Sequence, residues 1–371
     1  MQRFVHADSS HMDLLSRLLS LMPVAGRIDV RCHFGAPWAV AHDQAGVREI
    51  PYHVLLSGEA VLEDGNGPPL TIRAGDIVLF PRGAAHKLHD GSGKKPRPIQ
   101  MRETPTLKIK ENKGTGPAMD LLCGTFVVAS VQDRLLRDHL PDRLVVRVGT
   151  LQALARAGAT NRLADDAAEG TAGDVTVDVT DEAAGIITVA DAAATPLARL
   201  VDLMRDEAVE ERSGARALLD YLSGALFAMT LRFASESDAP PQGLLALARH
   251  ARLQPALAAM FDRPQEPWTL PSLAALCNMS RATFVRHFEE SVGRSASDLL
   301  TEVRMTLAAR QLVQTDLSTA AIGEAVGYRS EAAFQRAFKQ QMGMTPSKWR
   351  GAAAERTAGE SGDAEDADIA A

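Results

Sequence analysis

The sequence predicts an α+β multidomain protein, with a β-rich amino-terminal domain, a helical middle region and an all-α carboxy-terminal domain of two helix-turn-helix units. Three observations predict it. A short pattern repeats near the carboxy terminus, helical periodicity fills the middle, and short β-rich runs separated by Gly and Pro turns occupy residues 12–145. A chain of 371 residues, 46% of them hydrophobic, is long enough for two or three domains with cores of their own.

The repeated pattern defines the two carboxy-terminal units. Each copy places two phenylalanines four residues apart, on one helical face, and then a glycine suited to a left-handed helix cap. A short apolar helix and a tight break precede each copy, so both are predicted to fold as helix, turn, helix. Seven residues recur unchanged fifty positions later: Ser280, Ala282, Phe284, Arg286, Phe288, Gly293 and Ser297 become Ser330, Ala332, Phe334, Arg336, Phe338, Gly343 and Ser347.

The second helix of each unit has the composition of a helix that enters a DNA major groove. Its outer face carries small residues and an arginine, whose guanidinium group can reach guanine edges or phosphates. Ser280 and Ser330 are the predicted N-caps. Between the units, residues 296–314 predict one long helix spanning about 27 Å at 1.5 Å per residue. Such a rod could hold two DNA-reading helices about one DNA turn apart.

Residues 268–350 resemble, without gaps, the DNA-binding domain of the AraC/XylS family of transcription regulators. The matching stretches are 279–288, 322–330, 334–339 and 343–347. In that family two helix-turn-helix units are joined by a linker helix. The resemblance implies that the base-reading side chains are Arg281, Ala282, Val285 and Arg286 in the first unit and Glu331, Ala332, Gln335 and Arg336 in the second.

The two arginines carry most of the base hydrogen bonding that we expect in the first unit. Ala282 and Val285 cannot donate hydrogen bonds, so they can offer only apolar contact, for instance with a thymine methyl group. An isolated arginine on a helix is ordinarily a solvated surface charge. Duplication of Arg286 in register as Arg336 favours the DNA-reading interpretation instead.

Charge is unevenly distributed along the chain. The formal net charge of -7 argues against indiscriminate adhesion to nucleic acid, yet residues 268–350 hold ten Lys and Arg against seven Asp and Glu. The acidic excess lies elsewhere, in a low-complexity insert at 146–195 and a tail at 351–371. Both have Ala-, Gly- and Asp-rich compositions that cannot bury a core, so we predict solvated segments, with the tail disordered.

The β-rich domain, residues 12–145, is predicted to be a small all-β barrel or jelly roll. Residues 75–86 resemble the second motif of the cupin superfamily, whose histidine helps to bind a metal in catalytic members. The paired motif is incomplete, because Pro51 stands two positions before His53. The resemblance therefore implies a cupin-like sensor domain.

Metal binding by this domain is a second hypothesis. His53, His86 and His89 are candidate ligands, and Glu59 is a further remnant of the incomplete motif. A metal site needs three or four converging groups, which these residues do not establish. We therefore predict no metal ligands and no cofactor.

Two cysteines in the barrel are candidate redox sensors. The segments around Cys32 and Cys123 resemble the cupin-type sensor domain of a subgroup of AraC-type regulators that includes a regulator sensing reactive chlorine species. The resemblance maps that protein's redox cysteines onto these two. Arg31 and His33 flank Cys32, and positive charge favours a reactive thiolate. The alternative is two buried barrel thiols without a redox role. Cys277 is predicted to be a buried hydrophobic residue.

Helical periodicity between residues 196 and 263 predicts packing between domains or a dimer seam. The amino terminus is polar and resembles no signal peptide, and we find no apolar run of about 18 residues that would span a membrane. We therefore predict a cytoplasmic protein without a membrane partner, and three cysteines argue against a disulfide framework.

The predicted function is sequence-specific DNA binding by a transcription regulator whose sensor domain receives a small signal, and we predict an activator. Its expected partners are a double-stranded DNA operator, RNA polymerase and a second copy of the chain. Residues 264–350 form the predicted DNA-binding domain. The competing hypothesis is a metal-dependent cupin enzyme fused to a DNA-binding module, and we predict that the chain is not an enzyme.

Overall fold

A computed structural model describes residues 13–21, 23–128, 139–147, 186–188, 196–210, 212–237 and 240–354. They fall into two compact units, one β-rich and one helical, with the division near residue 246. Residues 13–21 and 139 cluster with the helical unit. Most of the predicted acidic insert, and the predicted tail from residue 355 onward, lie outside the described residues.

The β-rich unit contains an eight-stranded and a four-stranded sheet. The strands are β1 (Val24–Gly35), β2 (Ala39–His42), β3 (Glu49–Ser57), β4 (Glu59–Glu63), β5 (Leu70–Arg73), β6 (Asp76–Leu79), β7 (His86–His89), β8 (Ile99–Glu103), β9 (Lys108–Asn112), β10 (Ala118–Val128), β11 (Leu144–Arg147) and β12 (Ile186–Thr188). The large sheet has the order β12-β11-β6-β3-β10-β1-β9-β8 and the small sheet β2-β7-β4-β5. Long antiparallel pairings of β10 with β1 and β3 form the centre of the large sheet.

Of the predicted barrel and jelly roll, the barrel was wrong for the part of the chain that the structure describes. The large sheet ends at β8 and at β12, each of which pairs on one side, so these strands do not close into a barrel. The residues of β8 are all exposed, as befits a polar edge strand. The core instead lies between the two sheets and includes Cys32 and Cys123 from the large sheet and Leu62 and Leu88 from the small one.

Two parts of the predicted acidic insert, residues 146–195, are structured. Its first two residues end β11, where Val146 is buried, so the interpretation of this segment as solvated was wrong there. Ile186–Thr188, β12, is a short apolar run that pairs in parallel with β11.

Two helices of the β-rich unit follow the sheet, α2 (Pro196–Glu210) and α3 (Ala215–Glu236). Helix α3 packs closely on β1, where Gly26 allows the approach: a Cβ atom added there would lie 2.3 Å from the Cβ of Ser223. The hydroxyls of Ser223 and Tyr52 share a hydrogen bond of 2.7 Å. By length and composition alone α3 could cross a membrane, which the sequence analysis did not anticipate. Its buried face on β1 identifies it as a core helix of this unit.

The helical unit is built from short helices with well-defined ends. They are α1 (Leu14–Leu21), α4 (Leu244–Arg249), which spans the division, α5 (Gln254–Asp262), α6 (Leu270–Leu276), α7 (Arg281–Val292), α8 (Ala296–Gln314), α9 (Thr319–Ala325) and α10 (Glu331–Met342), with a 3₁₀ turn at Ala251–Leu253 before α5. Residues 346–354 are also helical, so the prediction of a disordered tail over 351–371 was wrong at its first four residues. The two predicted helix-turn-helix units are therefore α6 with α7 and α9 with α10, joined by α8.

The predicted caps of α7 and α10 are confirmed. The hydroxyl of Ser280 accepts a hydrogen bond from the Thr283 amide at 3.1 Å, and Ser330 does the same for Ala333 at 3.3 Å. Both helices end on a glycine in the left-handed conformation. These are Gly293, with φ of 74°, and Gly343, with φ of 76°. The duplicated sequence therefore produces duplicated helix ends.

We expect Phe334→Ala to destabilise the helical unit by about 3–5 kcal/mol, because it deletes a buried ring and leaves a cavity. The ring lies 5.6 Å from that of Phe338 and packs on Gly323, where an added Cβ would approach it to 3.0 Å. Urea unfolding followed by circular dichroism would measure the loss. The exposed neighbour Gln335→Ala is the control, with an expected change within about 0.5 kcal/mol. Equal stability of the two variants would contradict the packing described.

Candidate functional site

Helix α7 presents the predicted base-reading residues on its outer face. Its buried residues Phe284 and Phe288 fix the opposite face against the core. Arg281, Ala282 and Arg286 are exposed and Val285 is half-buried. All four line one shallow concave surface, together with Glu289 and Glu290. The sequence analysis missed these two glutamates, whose negative charge near one end of the surface would repel phosphates and so favour one orientation of the helix on DNA.

Helix α10 presents the second predicted set in the same way. Glu331, Ala332, Gln335 and Arg336 are all exposed. The side-chain amide of Gln335 donates a hydrogen bond of 3.0 Å to the carboxylate of Glu331. This contact orients two side chains whose groups match base edges, since glutamine binds adenine and a carboxylate accepts from cytosine.

A fixed loop supports the second unit. The Arg304 guanidinium of α8 donates to the carbonyl oxygens of Pro264 and Glu266, both at 2.7 Å. Gly327, between α9 and α10, lies against this loop with φ of 92°, and a Cβ added there would lie 2.7 Å from the Gln265 carbonyl oxygen. No sequence pattern indicated Arg304, because its carbonyl acceptors are brought together only by the fold.

The core of the β-rich unit gathers three histidines and a cysteine. His42, on β2, pairs in register with His86, on β7, and His53, on β3, pairs with Cys123, on β10. The His42 and His86 rings stack at 4.8 Å, and His86 stacks on Phe80 at 3.8 Å. His53 Nε2 lies 2.7 Å from His86 Nε2, and His53 Nδ1 lies 3.1 Å from Cys123 Sγ. The two sheets thus bring these four side chains into one contiguous group.

The hydrogen bonds of this group form a directional chain. Because the carbonyl of Ala84 can only accept, His86 Nδ1 donates to it at 2.8 Å, which leaves neutral His86 with an accepting Nε2. His53 therefore donates through Nε2, and its Nδ1 accepts from the Cys123 thiol. Burial lowers the pKa of His53 well below its usual range and that of His42 to about 4, so both rings are neutral at pH 7.

Cys32 and Cys123 are diagonal neighbours on β1 and β10. Cys32 stands opposite Leu121 and Cys123 opposite Val30. Both are buried. Interaction with the neighbouring Cys32 side chain, followed by burial, raises the pKa of the Cys123 thiol well above its usual range. The proximity that the sequence could not reveal is thus present, but Cys123 is held as a protonated thiol.

The flanking charges do not act as the sequence analysis expected. Side chains alternate along a strand, so Arg31 and His33 project to the face of β1 opposite Cys32. The Arg31 guanidinium binds the carboxylate of Asp120, with one contact at 2.9 Å, and its charge is committed there. Stabilisation of a Cys32 thiolate by these two neighbours has no support in this geometry.

Of the metal ligands considered in the sequence analysis, His53 and His86 meet, whereas His89 and Glu59 do not join them. His89 pairs with Glu63 at 3.3 Å rather than with His53, and Glu59 is bound to Arg73 at 3.0 Å. His42 takes the place of His89 in the histidine group. The sequence alone does not indicate a role for His42, because its pairing with His86 across β2 and β7 is formed only in the fold.

Comparison with known proteins identifies the family. The family described as Cupin matches residues 13–178, and that described as Helix-turn-helix domain matches residues 273–352. An uncharacterized HTH-type transcriptional regulator of Haemophilus influenzae is 29% identical over 347 residues, covering 91% of this chain and 98% of that protein. This chain belongs to the AraC family of regulators.

One further relative and one solved structure are also similar to this chain. The RCS-specific HTH-type transcriptional activator RclR of Escherichia coli K12 is 26% identical over 339 residues, covering 91% of this chain and 97% of that protein. The crystal structure of the DNA-binding domain of AdpA in complex with a target DNA is 31% identical, covers 28% of this chain and 95% of its own, and has a TM-score of 0.27.

The family assignment decides between the two functional hypotheses. This AraC-family protein is a DNA-binding transcription regulator with an amino-terminal cupin sensor domain. Its relatives are transcription regulators rather than enzymes, which confirms the prediction that the chain is not an enzyme. A regulator of this family acts on DNA inside the cell, so the intracellular part of the predicted location is confirmed.

Proposed function

We propose that this regulator reads an operator through α7 and α10 and senses an oxidant through Cys32 and Cys123. The observation that carries the sensing part is the placement of Cys32 and Cys123 as diagonal neighbours on β1 and β10, in the same buried core. The RCS-specific relative supports an oxidant as the signal.

Exposure supports the assignment of the DNA-reading residues. In α7, Arg281 and Arg286 reach solvent from one concave surface, so guanidinium groups are free to form paired hydrogen bonds with guanine. In α10, Arg336 is exposed on the equivalent face. The exposed N-termini of both helices, capped by serine hydroxyls, offer further backbone amides to phosphate.

The proposed oxidation ends in a disulfide. Hypochlorous acid converts the Cys32 thiol to a sulfenic acid and releases hydrogen chloride. The Cys123 sulfur then attacks the Cys32 sulfur, and water leaves as the disulfide forms. His53 Nδ1, 3.1 Å from Cys123 Sγ, is positioned to accept the thiol proton during this attack.

Strand geometry supports a structural response to this oxidation. Diagonal neighbours in an antiparallel pair have Cα atoms about 7–8 Å apart, whereas a disulfide requires about 4.4–6.8 Å. Bridging Cys32 to Cys123 would therefore pull β1 locally toward β10. Arg31, the adjacent residue, binds both Asp120 and the Ala208 carbonyl oxygen of α2, the latter at 3.4 Å. Movement of β1 would consequently be transmitted to α2 through the contact between Arg31 and Ala208.

Helix α3 supports a homodimer. Leu218, Tyr221 and Ala225 lie three and four residues apart on one exposed face, where Tyr221 is 78% exposed. Exposed apolar residues in one stripe are typical of an interface with a second copy. The proposed regulator would work in the cytoplasm as a dimeric activator, with RNA polymerase as its further partner.

Mapping of protein-bound genomic DNA with and without hypochlorous acid tests the whole proposal. We expect a limited set of bound sequences, and a change in occupancy or in transcription of the adjacent genes on oxidation. Binding without sequence preference would refute the operator-reading role. Selective binding that hypochlorous acid leaves unchanged in both readouts would refute only the sensing role.

A further inference from the structure

The sensor core also has the chemistry of a metal site. We propose that His42, His53 and Cys123, with Cys32 as the fourth ligand, bind one zinc-type metal ion. The ion would be of the class that prefers mixed imidazole and thiolate ligands. This inference goes beyond the proposed function, does not depend on it, and differs from the sequence-based expectation that no metal is bound.

The ligand atoms already converge. One donor atom from each of His42, His53 and Cys123 lies within 4.8 Å of the others. In a tetrahedral site with Zn–N near 2.0–2.1 Å and Zn–S near 2.3 Å, ligand atoms are about 3.3–3.6 Å apart. The separation of 3.1 Å between His53 Nδ1 and Cys123 Sγ is close to this value. Small side-chain rotations, chiefly of His42, would complete the geometry.

An unsatisfied nitrogen provides independent support. His42 Nε2 is buried and has no hydrogen-bond partner among the described residues. A buried polar atom without a partner is costly, and a bound cation would satisfy its lone pair. Because His42 sits where its ring stacks on His86, its Nε2 is held beside the other candidate ligands.

The hydrogen-bond chain orients His53 as a ligand. Metal-binding histidines characteristically donate their other ring N–H to a fixed acceptor. His53 does so through Nε2 to His86 Nε2 at 2.7 Å, and His86 is itself fixed by Ala84 at 2.8 Å. The lone pair of His53 Nδ1 is thereby directed toward Cys123. His86 is accordingly a positioning residue.

Charge balance favours the second cysteine as the fourth ligand. A divalent ion bound by two neutral imidazoles and one thiolate leaves one positive charge in a buried site, which is unfavourable. Deprotonation of Cys32, the diagonal neighbour of Cys123 in the same buried core, would neutralise it. Binding would then replace two thiol protons by one divalent ion, with release of both protons to solvent.

Metal titration of the reduced, chelator-treated, untagged full-length protein tests this site. We expect one Zn²⁺ per chain, and one Co²⁺ with the near-ultraviolet charge-transfer absorption of a thiolate-bound ion. His42→Ala and Cys123→Ser should each weaken Zn²⁺ binding more than tenfold. His86→Ala should weaken it about ten- to a hundredfold through loss of orientation.

Two matched variants control for unspecific effects. His89→Ala removes a histidine that pairs with Glu63, and Cys277→Ser removes a buried thiol of the helical unit, so neither should change the stoichiometry or the affinity. Circular dichroism would show that each variant is folded. No stoichiometric metal in the reduced protein, Co²⁺ binding without the thiolate absorption, or equal affinity in folded His42→Ala would overturn the proposal. Operator binding, measured on the same samples, tests the proposed DNA-reading role independently of the metal site.

Discussion

Arg286→Ala is expected to weaken operator binding about ten- to a hundredfold while leaving the protein folded. A paired hydrogen bond between arginine and guanine contributes about 1–3 kcal/mol of discrimination, and this is lost with the guanidinium group. The side chain is exposed on α7, so its removal leaves no cavity in the core. Titration of a labelled operator duplex at fixed salt would measure the change, with a scrambled duplex reporting nonspecific binding.

Two other arginines give this experiment its controls. Arg336→Ala should cost less than Arg286→Ala, because the resemblance to AraC/XylS regulators implies mainly phosphate contacts for the second unit. Arg263 is exposed and pairs with Glu266 at 3.1 Å outside both recognition helices, so Arg263→Ala should have little effect. An unchanged affinity in Arg286→Ala would count against α7 as the base-reading helix. A greater loss in Arg336→Ala would reverse the ranking of the two units.

Cys32→Ala or Cys123→Ala is expected to abolish any oxidant-dependent change in DNA binding. Each removes one sulfur of the only disulfide that the described sensor core places within reach, since the two cysteines are diagonal neighbours on β1 and β10. Cys277→Ala should preserve the response. That thiol belongs to the C-cap residue of α6, in the helical unit. Burial raises the pKa of the Cys277 thiol, which disfavours the reactive thiolate.

Operator titration before and after hypochlorous acid, with mass spectrometry of the same samples, would decide this prediction. The oxidised wild-type protein should yield a peptide linking Cys32 to Cys123. If both thiols stay reduced while DNA binding still responds, the signal enters through another group and the sensing hypothesis should be abandoned.

The helical unit was more predictable from sequence than the sensor domain. Helices α7 and α10, their serine caps and their terminal glycines follow from spacings of a few residues, which the sequence displays directly. Closure of the sheet was predicted wrongly, because it depends on whether distant edge strands such as β8 find partners. Local sequence carries little information about such pairings.

The sensor group shows the same limit at the level of side chains. Cys32 and Cys123 are brought together by the register of β1 with β10, and a shift of one residue would turn one of them to the other face. Arg31 is adjacent to Cys32 in sequence, yet strand alternation separates their side chains. Sequence neighbours were therefore a poor guide to the electrostatics of the thiols.

Gly327 has a consequence for genetic selections. Its φ of 92° is strained for residues with a side chain, and the Gln265 carbonyl oxygen occupies the space that a Cβ would need. An unbiased selection for loss of function would therefore recover substitutions of Gly327, even though this residue does not have to contact a base. Such alleles should also lower the abundance of the protein, which would separate them from alleles that alter nucleotide contacts alone.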